Sequence, residues 1–394
     1  MTLTAPAPLL LIPGPTPVPQ PVLEALARPT ESHSSHTTGL ALRRVQEGLF
    51  QAVGAAPRDD DGPLAFVLAG SGTLALECAL VNLVAPGEKL VVVSHGLFGD
   101  RFAAVGRAIG AEVVEVSCPW GERVATERVA AALKDSGARV LAATHVDTST
   151  AVVSPYLEYA KIAKEMDAIL VLDAVAGCGG MPIGMDDAGI GVVISASQKA
   201  LGMPPGLGLL VVSAGAMAKR KAMGSCRSYF LDWVNWEGAM RDSEARYFAT
   251  LPTNLICAAG AAIETAQAEG WEARFARHSR MARAFRRGMR AIGLESMAEE
   301  SILGTTVTAL RLPPGVTPIS VRQEVSKEGV AVAGGIGAWA ESAIRVGHMG
   351  AAGLPELLQG AAALETGLLR LGVPVERGAG VSELLCGWEA EIPS

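Results

Sequence analysis

This chain of 394 residues is poor in several things, and each shortage removes a class of protein. Its six cysteines (Cys78, Cys118, Cys178, Cys226, Cys257 and Cys386) include no CxxC pair. Neither a zinc site nor a disulfide framework is implied, no metal is expected, and reduced thiols fit a cytoplasmic setting. An excess of basic charge is missing: 33 Lys+Arg against 40 Asp+Glu leave a net −7. A nucleic-acid binder, which needs a basic face, is therefore disfavoured. The opening MTLTAPAPLLLIPGP has no basic n-region and is broken by prolines, which argues against a signal peptide. The ending Glu-Ile-Pro-Ser carries no peroxisomal or retention signal. Residues 200–218 are uncharged for 19 positions, near the length of a membrane span, but Pro204, Pro205 and several glycines interrupt them. A loop followed by a buried strand is the better reading, and no membrane partner is expected.

What remains, 49% hydrophobic and 19% charged residues, describes a soluble globular enzyme long enough for a large domain and a smaller one. Residues 1–20 are rich in proline and read as an extended arm laid on a neighbour. A large domain is expected over 21–268 and a small one over 269–394. Leu42, Val45, Leu49 and Val53 repeat at helical spacing, which predicts a helix over 40–54, and Arg58 to Gly62 read as a charged turn. From Leu64 the pattern alternates: strands at 64–69, 90–94, 112–116, 139–144 and 168–173, helices at 72–84, 98–109, 125–135 and 155–167. Such alternation predicts an α/β fold with a mostly parallel sheet covered by helices on both faces. Residues 219–246 have no clean period and read as an excursion near a site mouth, a subunit contact or surface elaboration. Helices at 253–269 and 272–292 lead to a smaller α+β unit, with strands at 305–312, 330–333 and 342–346 and helices at 318–328 and 354–370. The tail after about 373 shows little structural signal.

Chemistry concentrates around Val192 to Leu210, VVISASQKALGMPPGLGLL. Two apolar runs flank a Gly/Pro loop that carries Lys199, with no acidic residue within ten positions on either side. Two readings stand: a lysine snorkelling from a strand end, or an amine whose charge is disfavoured by burial and which serves as a nucleophile. Upstream, AILVLD is an apolar strand ending on Asp173. A lysine that bonds pyridoxal phosphate and an aspartate that keeps its ring nitrogen protonated are the two groups this cofactor requires. Gly70-Ser71-Gly72-Thr73 opens the first predicted helix, where free N–H groups suit a phosphate. The same residues fit G-x-G-x-x-A and so raise a dinucleotide-binding oxidoreductase, although the next strand runs into Ser94-His95 with no acid for a ribose. Arg345 lies in an apolar strand, where a guanidinium needs an anion such as a substrate carboxylate. Gly334-Gly335-Ile336-Gly337 would let backbone pass close to a substrate. Phe98 reads equally as a core aromatic, and His33 and His36 as part of a polar loop; His95 is unassigned.

SQKAL followed by PPG, the segment VLDAVAGCGG and the later IRVGHMG resemble the class V pyridoxal-phosphate-dependent aminotransferases, in the alanine–glyoxylate and serine–glyoxylate (serine–pyruvate) branch. The similarity runs from the PGP near residue 13 to about residue 350. It implies fold type I and a ping-pong transaminase that uses a small amino acid and a 2-oxo acid. Lys199 and Asp173 would be catalytic, and Ser71, Gly72, Thr73 and Gln198 would hold the cofactor phosphate. Phe98 would stack on the ring where many relatives carry tryptophan, and Thr148, 25 residues before Asp173, would approach the ring oxygen. Asp147 fills a place where relatives often carry an acid. Tyr247 and Thr250 would cross to the partner's phosphate in a homodimer with shared sites. Arg345 would bind the substrate carboxylate. Transaminases of 2-aminoethylphosphonate, pyridoxamine or ureidoglycine share this framework, as do lyases and desulfurases. A desulfurase needs a cysteine on a small-domain loop, and residues 331–350 contain none.

Overall fold

A computed structural model describes residues 7–57, 62–242, 244 and 246–390. Arg58 to Asp61 of the expected charged turn lie outside the described residues. The chain opens with a short strand, β1 (Leu9–Leu10), then helices α1 (Gln20–Leu26) and α2 (His36–Val53). The Ser35 side chain accepts from the Thr38 N–H and starts α2 four residues before the expected position. The alternation read from sequence follows: β2 (Leu64–Ala69), α3 (Gly72–Leu83), β3 (Lys89–Ser94), α4 (Leu97–Ala108) and β4 (Glu112–Ser117). It continues through α5 (Thr126–Ser136), β5 (Val140–Thr144), α6 (Tyr156–Glu165) and β6 (Ile169–Asp173). After the one-turn α7 (Met185–Ala188) come β7 (Val192–Ala196), β8 (Leu207–Val212), α8 (Ala214–Ala222) and α9 (Trp233–Arg241). Two long helices, α10 (Thr253–Glu269) and α11 (Trp271–Ala291), lead to β9 (Val307–Arg311) and α12 (Pro318–Lys327). The remaining elements are β10 (Val330–Ala331), β11 (Ala333–Gly334), β12 (Ala343–Gly347), α13 (Leu354–Arg370) and α14 (Ala379–Glu389).

Seven strands form one sheet in the order β2-β8-β7-β6-β5-β3-β4, parallel except that β8 runs against both its neighbours. Val, Leu, Ile and Ala fill the central strands because both faces are covered, so their apolar runs are continuous rather than alternating. The uncharged stretch 200–218 is accordingly a loop, β8 and the start of α8. Among the described residues no helix is long and apolar enough to cross a membrane. β2 lies at the sheet edge, five strands from β3. Gly70 to Ala75 therefore do not sit between adjacent parallel strands, the setting a dinucleotide fingerprint requires.

A second apolar core gathers residues from α11, β9, β12, α13 and α14, and Leu11 joins it from the far end of the chain. Leu9 to Leu11 of the proline-rich opening are thus laid on their own chain. β1 pairs in parallel with β10, the Leu11 N–H donates to Ala331 O (2.9 Å), and the Gly347 N–H donates to Leu11 O (2.9 Å). A side chain at Gly347 would collide with the Ile12 carbonyl, and one at Gly360 with the Leu11 side chain.

Three expectations need correction. The strand expected over 330–333 is two short strands in different sheets, β10 with β1 and β11 with β12. The tail after 373 forms α14, which lies so close to α11 that a Cβ at Gly288 would approach Gly380 O within 2.5 Å. Residues 219–246 contain α9, whose Trp233 and Trp236 are fully buried. Asn82 of α3 accepts from the Trp233 N–H (3.0 Å) and donates to Leu231 O (2.7 Å), while Arg220 forks onto Asp232 at 3.0 and 2.7 Å.

Because Leu11 is completely buried, Leu11→Ala is expected to cost about 2–5 kcal/mol. A urea midpoint that does not fall relative to the parent protein would show that the opening segment is not part of this core.

Candidate active site

The site lies beyond the carboxyl ends of the parallel strands, where open α/β sheets place their ligands. Asp173 is the last residue of β6, and Lys199 is in the loop after the neighbouring strand β7. That loop is held from several sides. The Ser197 N–H donates to Leu207 O (3.0 Å), the Ser197 Oγ accepts from the Leu207 N–H (3.1 Å), and the Gly202 N–H donates to Lys199 O (2.9 Å). Thr16 Oγ also donates to Lys199 O (3.1 Å), and the buried Arg274 of α11 donates to Ala200 O (2.6 Å) and Gly179 O (3.1 Å). Lysine at this place therefore has a backbone that cannot swing away.

The charges around it are uncomfortable. Burial, then repulsion by Arg345, push the Lys199 amine down to about 8, with Asp173 pulling the other way. Burial raises Asp173 to about 6, against a 3.0 Å hydrogen bond from the Val175 N–H and the attraction of Lys199. An amine with a substantial neutral fraction near neutral pH is what a nucleophile requires. The Lys199 ammonium donates to the Pro13 carbonyl, so the opening segment touches the amine itself. Gly14 has φ +94°, and a Cβ there would stand 2.7 Å from Lys199 Cδ.

Arg345 is brought in by β12, held between β11 and β9. Its Nε donates to Gly334 O (2.9 Å) and its Nη1 to Thr148 O (2.9 Å), which fixes the guanidinium between the two cores. The glycine loop thus meets Arg345 through its first carbonyl. Thr148 is buried, and its carbonyl rather than its hydroxyl carries the contact to Arg345.

At the start of α3, Ser71 makes no side-chain cap bond, so the first N–H groups of the helix remain available to an anion. Ser71 and Thr73 are exposed and Gly72 is half-buried against Val175 and Ala196. Thr73 Oγ accepts a long hydrogen bond from Arg101 (3.4 Å), and the Arg101 guanidinium lies 4.8 Å from the centre of the Phe98 ring. Gln198 Oε1 is buried with no hydrogen-bond partner among the described residues. Turning that amide by half a turn presents Nε2 instead, a donor that suits a phosphate. A phosphate-bearing pyridine aldehyde fits this set: an amine for the carbonyl, a carboxylate at the end of the adjacent strand, and free donors at α3.

Tyr247 and Thr250 are not brought to Lys199 by any hydrogen bond among the described residues. Their hydroxyls bond to each other (3.1 Å), the Tyr247 ring rests on His33 (4.8 Å between centres), and Tyr247 is 62% exposed. His36 pairs with Glu244 instead of with His33. Sequence reasoning missed Pro13, Gly14, Thr16 and Arg274 as parts of the lysine's surroundings. Only the PGP at residues 13–15 carried a signal. His95 and His145 are buried, and burial lowers both, His145 to about 4, so both are neutral at pH 7.

The sign of the lysine's behaviour can be tested. Capture of pyridoxal phosphate by the cofactor-free enzyme is expected to accelerate as pH rises through about 8, where Lys199 loses its proton. Arg345→Gln removes a repelling cation, so the profile should move to higher pH. A rate independent of pH from 6 to 10, or a move to lower pH, would contradict this account.

Comparison with known proteins identifies the family and the fold. The family model for class-V aminotransferases matches residues 9–347. An L-aspartate–glyoxylate aminotransferase of Paracoccus denitrificans is 31% identical over 95% of this chain and 94% of its own. The crystal structure of an alanine–glyoxylate aminotransferase from Nostoc sp. superposes with a TM-score of 0.88 at 30% identity, covering 93% of this chain and 97% of that one. A pyridoxamine–pyruvate aminotransferase from Mesorhizobium loti superposes with a TM-score of 0.91 at 28% identity, covering 98% of both chains. The chain belongs to the class-V aminotransferases, of fold type I, and is a transaminase dependent on pyridoxal phosphate.

Proposed function

We propose that this enzyme moves an amino group from a small amino acid, alanine or serine, to glyoxylate or pyruvate in a ping-pong cycle. The observation that carries the reading is the Lys199 amine and the Asp173 carboxylate at the ends of adjacent parallel strands, with Arg345 close enough to depress the amine. Arg345 receives the substrate carboxylate through whatever N–H groups its two backbone acceptors leave free. Lys199 takes the proton from the substrate's Cα and later returns one, as a base poised near neutral pH can. Asp173 would hold the pyridine nitrogen protonated, since a carboxylate that burial has raised to about 6 gains from a cation placed beside it. Pyridoxal phosphate supplies the electron sink that makes the Cα proton removable. Ser71, Gly72, Thr73 and Gln198 would receive its phosphate, and Phe98 and Thr148 would serve its ring. In the proposed homodimer, Tyr247 and Thr250 serve the partner's phosphate, which accounts for a tyrosine that is open on one chain alone.

Two relatives whose names specify other donors, aspartate and pyridoxamine, make the donor the question to ask. In single half-reactions the near-visible absorbance of the cofactor-loaded enzyme should fall with alanine and serine. It should hold with aspartate, pyridoxamine, ureidoglycine and 2-aminoethylphosphonate. If no small amino acid bleaches it, the donor assignment fails. Lys199→Ala should lose more than about 10³-fold in turnover, and Arg345→Gln should raise KM for the amino acid about 10- to 100-fold. Retained turnover in the first variant, or an unchanged KM in the second, would remove those roles.

A further inference from the structure

Helix α4 carries Phe98 in its first turn, and its N-cap is Gly96, which has no side chain to offer. The first three N–H groups of the helix are nevertheless all satisfied, by one loop from elsewhere. Asp147 Oδ2 accepts from the N–H of Phe98 (2.9 Å) and Gly99 (3.2 Å), and Ser149 Oγ accepts from the N–H of Leu97 (3.0 Å). Asp147 Oδ1 in turn accepts from the Ser149 N–H (2.9 Å) and Ser149 Oγ (2.5 Å). The carboxylate is fully buried, which leaves it no water to exchange these bonds for. Glycine at 96 is required by this approach: a Cβ would stand 2.5 Å from Ser149 Oγ and 2.6 Å from Asp147 Cγ.

The loop that provides the cap also holds the substrate side. The Asp147 Oδ1 bond from the Ser149 N–H (2.9 Å) spans the intervening residue, Thr148, and Asp147 O accepts from the N–H of Thr150 (3.2 Å) and Ala151 (2.7 Å), so the Thr148 carbonyl, which accepts from Arg345, is fixed in place. One buried side chain therefore joins the aromatic expected over the cofactor ring to the backbone that anchors the carboxylate-binding arginine.

We infer that Asp147 is a positioning residue: its carboxylate caps α4 in trans, setting the Phe98 ring against the cofactor and, through Thr148, the height of Arg345. This rests on the transaminase reading above for the roles of Phe98 and Arg345. It adds a residue that touches neither cofactor nor substrate. Asparagine at 147 keeps the shape but can accept at only one end, so the N–H groups of Phe98 and Gly99, or those of Ser149, lose their acceptor.

The test is a double-mutant cycle of Asp147→Asn with Phe98→Ala, read on cofactor affinity by absorbance titration and on the circular dichroism induced in the near-visible band. Asp147→Asn should weaken cofactor binding about tenfold and reduce the induced signal. The double variant should be no worse than the weaker of the two singles, because both act through one ring. Ser149→Ala keeps the carboxylate and its bonds to Phe98 and Gly99 but removes the acceptor for Leu97 and one donor to Asp147 Oδ1, so a smaller loss in the same direction is expected. This variant decides the matter if Asp147→Asn does not fold. Additive losses in the cycle overturn the inference, as do an Asp147→Asn enzyme with parental affinity and dichroism or an unchanged Ser149→Ala enzyme. Borohydride reduction of the cofactor-loaded parent separates the two levels. An unlabelled Lys199 overturns the functional reading and this inference with it; a labelled one followed by unchanged variants overturns the inference alone.

Discussion

An amine denied water is the constraint around which this molecule is arranged. An ammonium loses hydration when it is enclosed, and Arg345 adds a second positive charge to the same enclosure. Asp173 gives back part of that loss, yet burial has moved it in the opposite direction. Each group eases the burial of the other. Two parallel strands fix their separation, since β6 and β7 are registered through Asp173 and Ile194. The loop that follows β7 has every exit tied, by Ser197 at its base, Thr16 and Arg274 at its sides and the Pro13 carbonyl at the amine.

The opening segment links this loop to the second core. Leu11 is packed among α13 and the β9–β12 strands, five residues before Thr16 reaches the Lys199 carbonyl. Arg345 leaves the same core on β12 and reaches Thr148, in the loop that follows β5 of the large sheet. Lys199 and Arg345 are thus each tied to both cores by short connections. Small displacements between the cores must be felt at both groups.

A second theme is the use of borrowed carboxylates. Asp147 caps α4 across 49 residues of chain, and Glu365 of α13 caps α14 by accepting from the N–H groups of Gly378 and Gly380 (3.2 Å for the latter). Both helices begin after a glycine with no side chain to serve as cap. Local rules for helix starts look for Ser, Thr, Asp or Asn at the first position, and α2 with Ser35 and α12 with Thr317 have caps of that kind. Such rules fail where the cap comes through space, which is why α14 left so little trace in the tail.

Periodicity in the sequence was sufficient for the alternating strands and helices from Leu64 to Asp173, because each element's pattern reflects a face that must be buried wherever its neighbours lie. It was sufficient as well to pick out Lys199 and Asp173, since a charged group at the end of an apolar run is visible without knowing what surrounds it. That pair already suggested pyridoxal phosphate, and the resemblance added the expected contacts to its phosphate and ring. Strand order, the antiparallel return of β8, the burial of Trp233 and Trp236, and the encounter of Pro13, Asp147 and Arg345 with the site were decided by tertiary structure. Those contacts join residues up to 197 positions apart, and a hydrogen bond depends on separation in space, about which separation along a chain of that length says almost nothing.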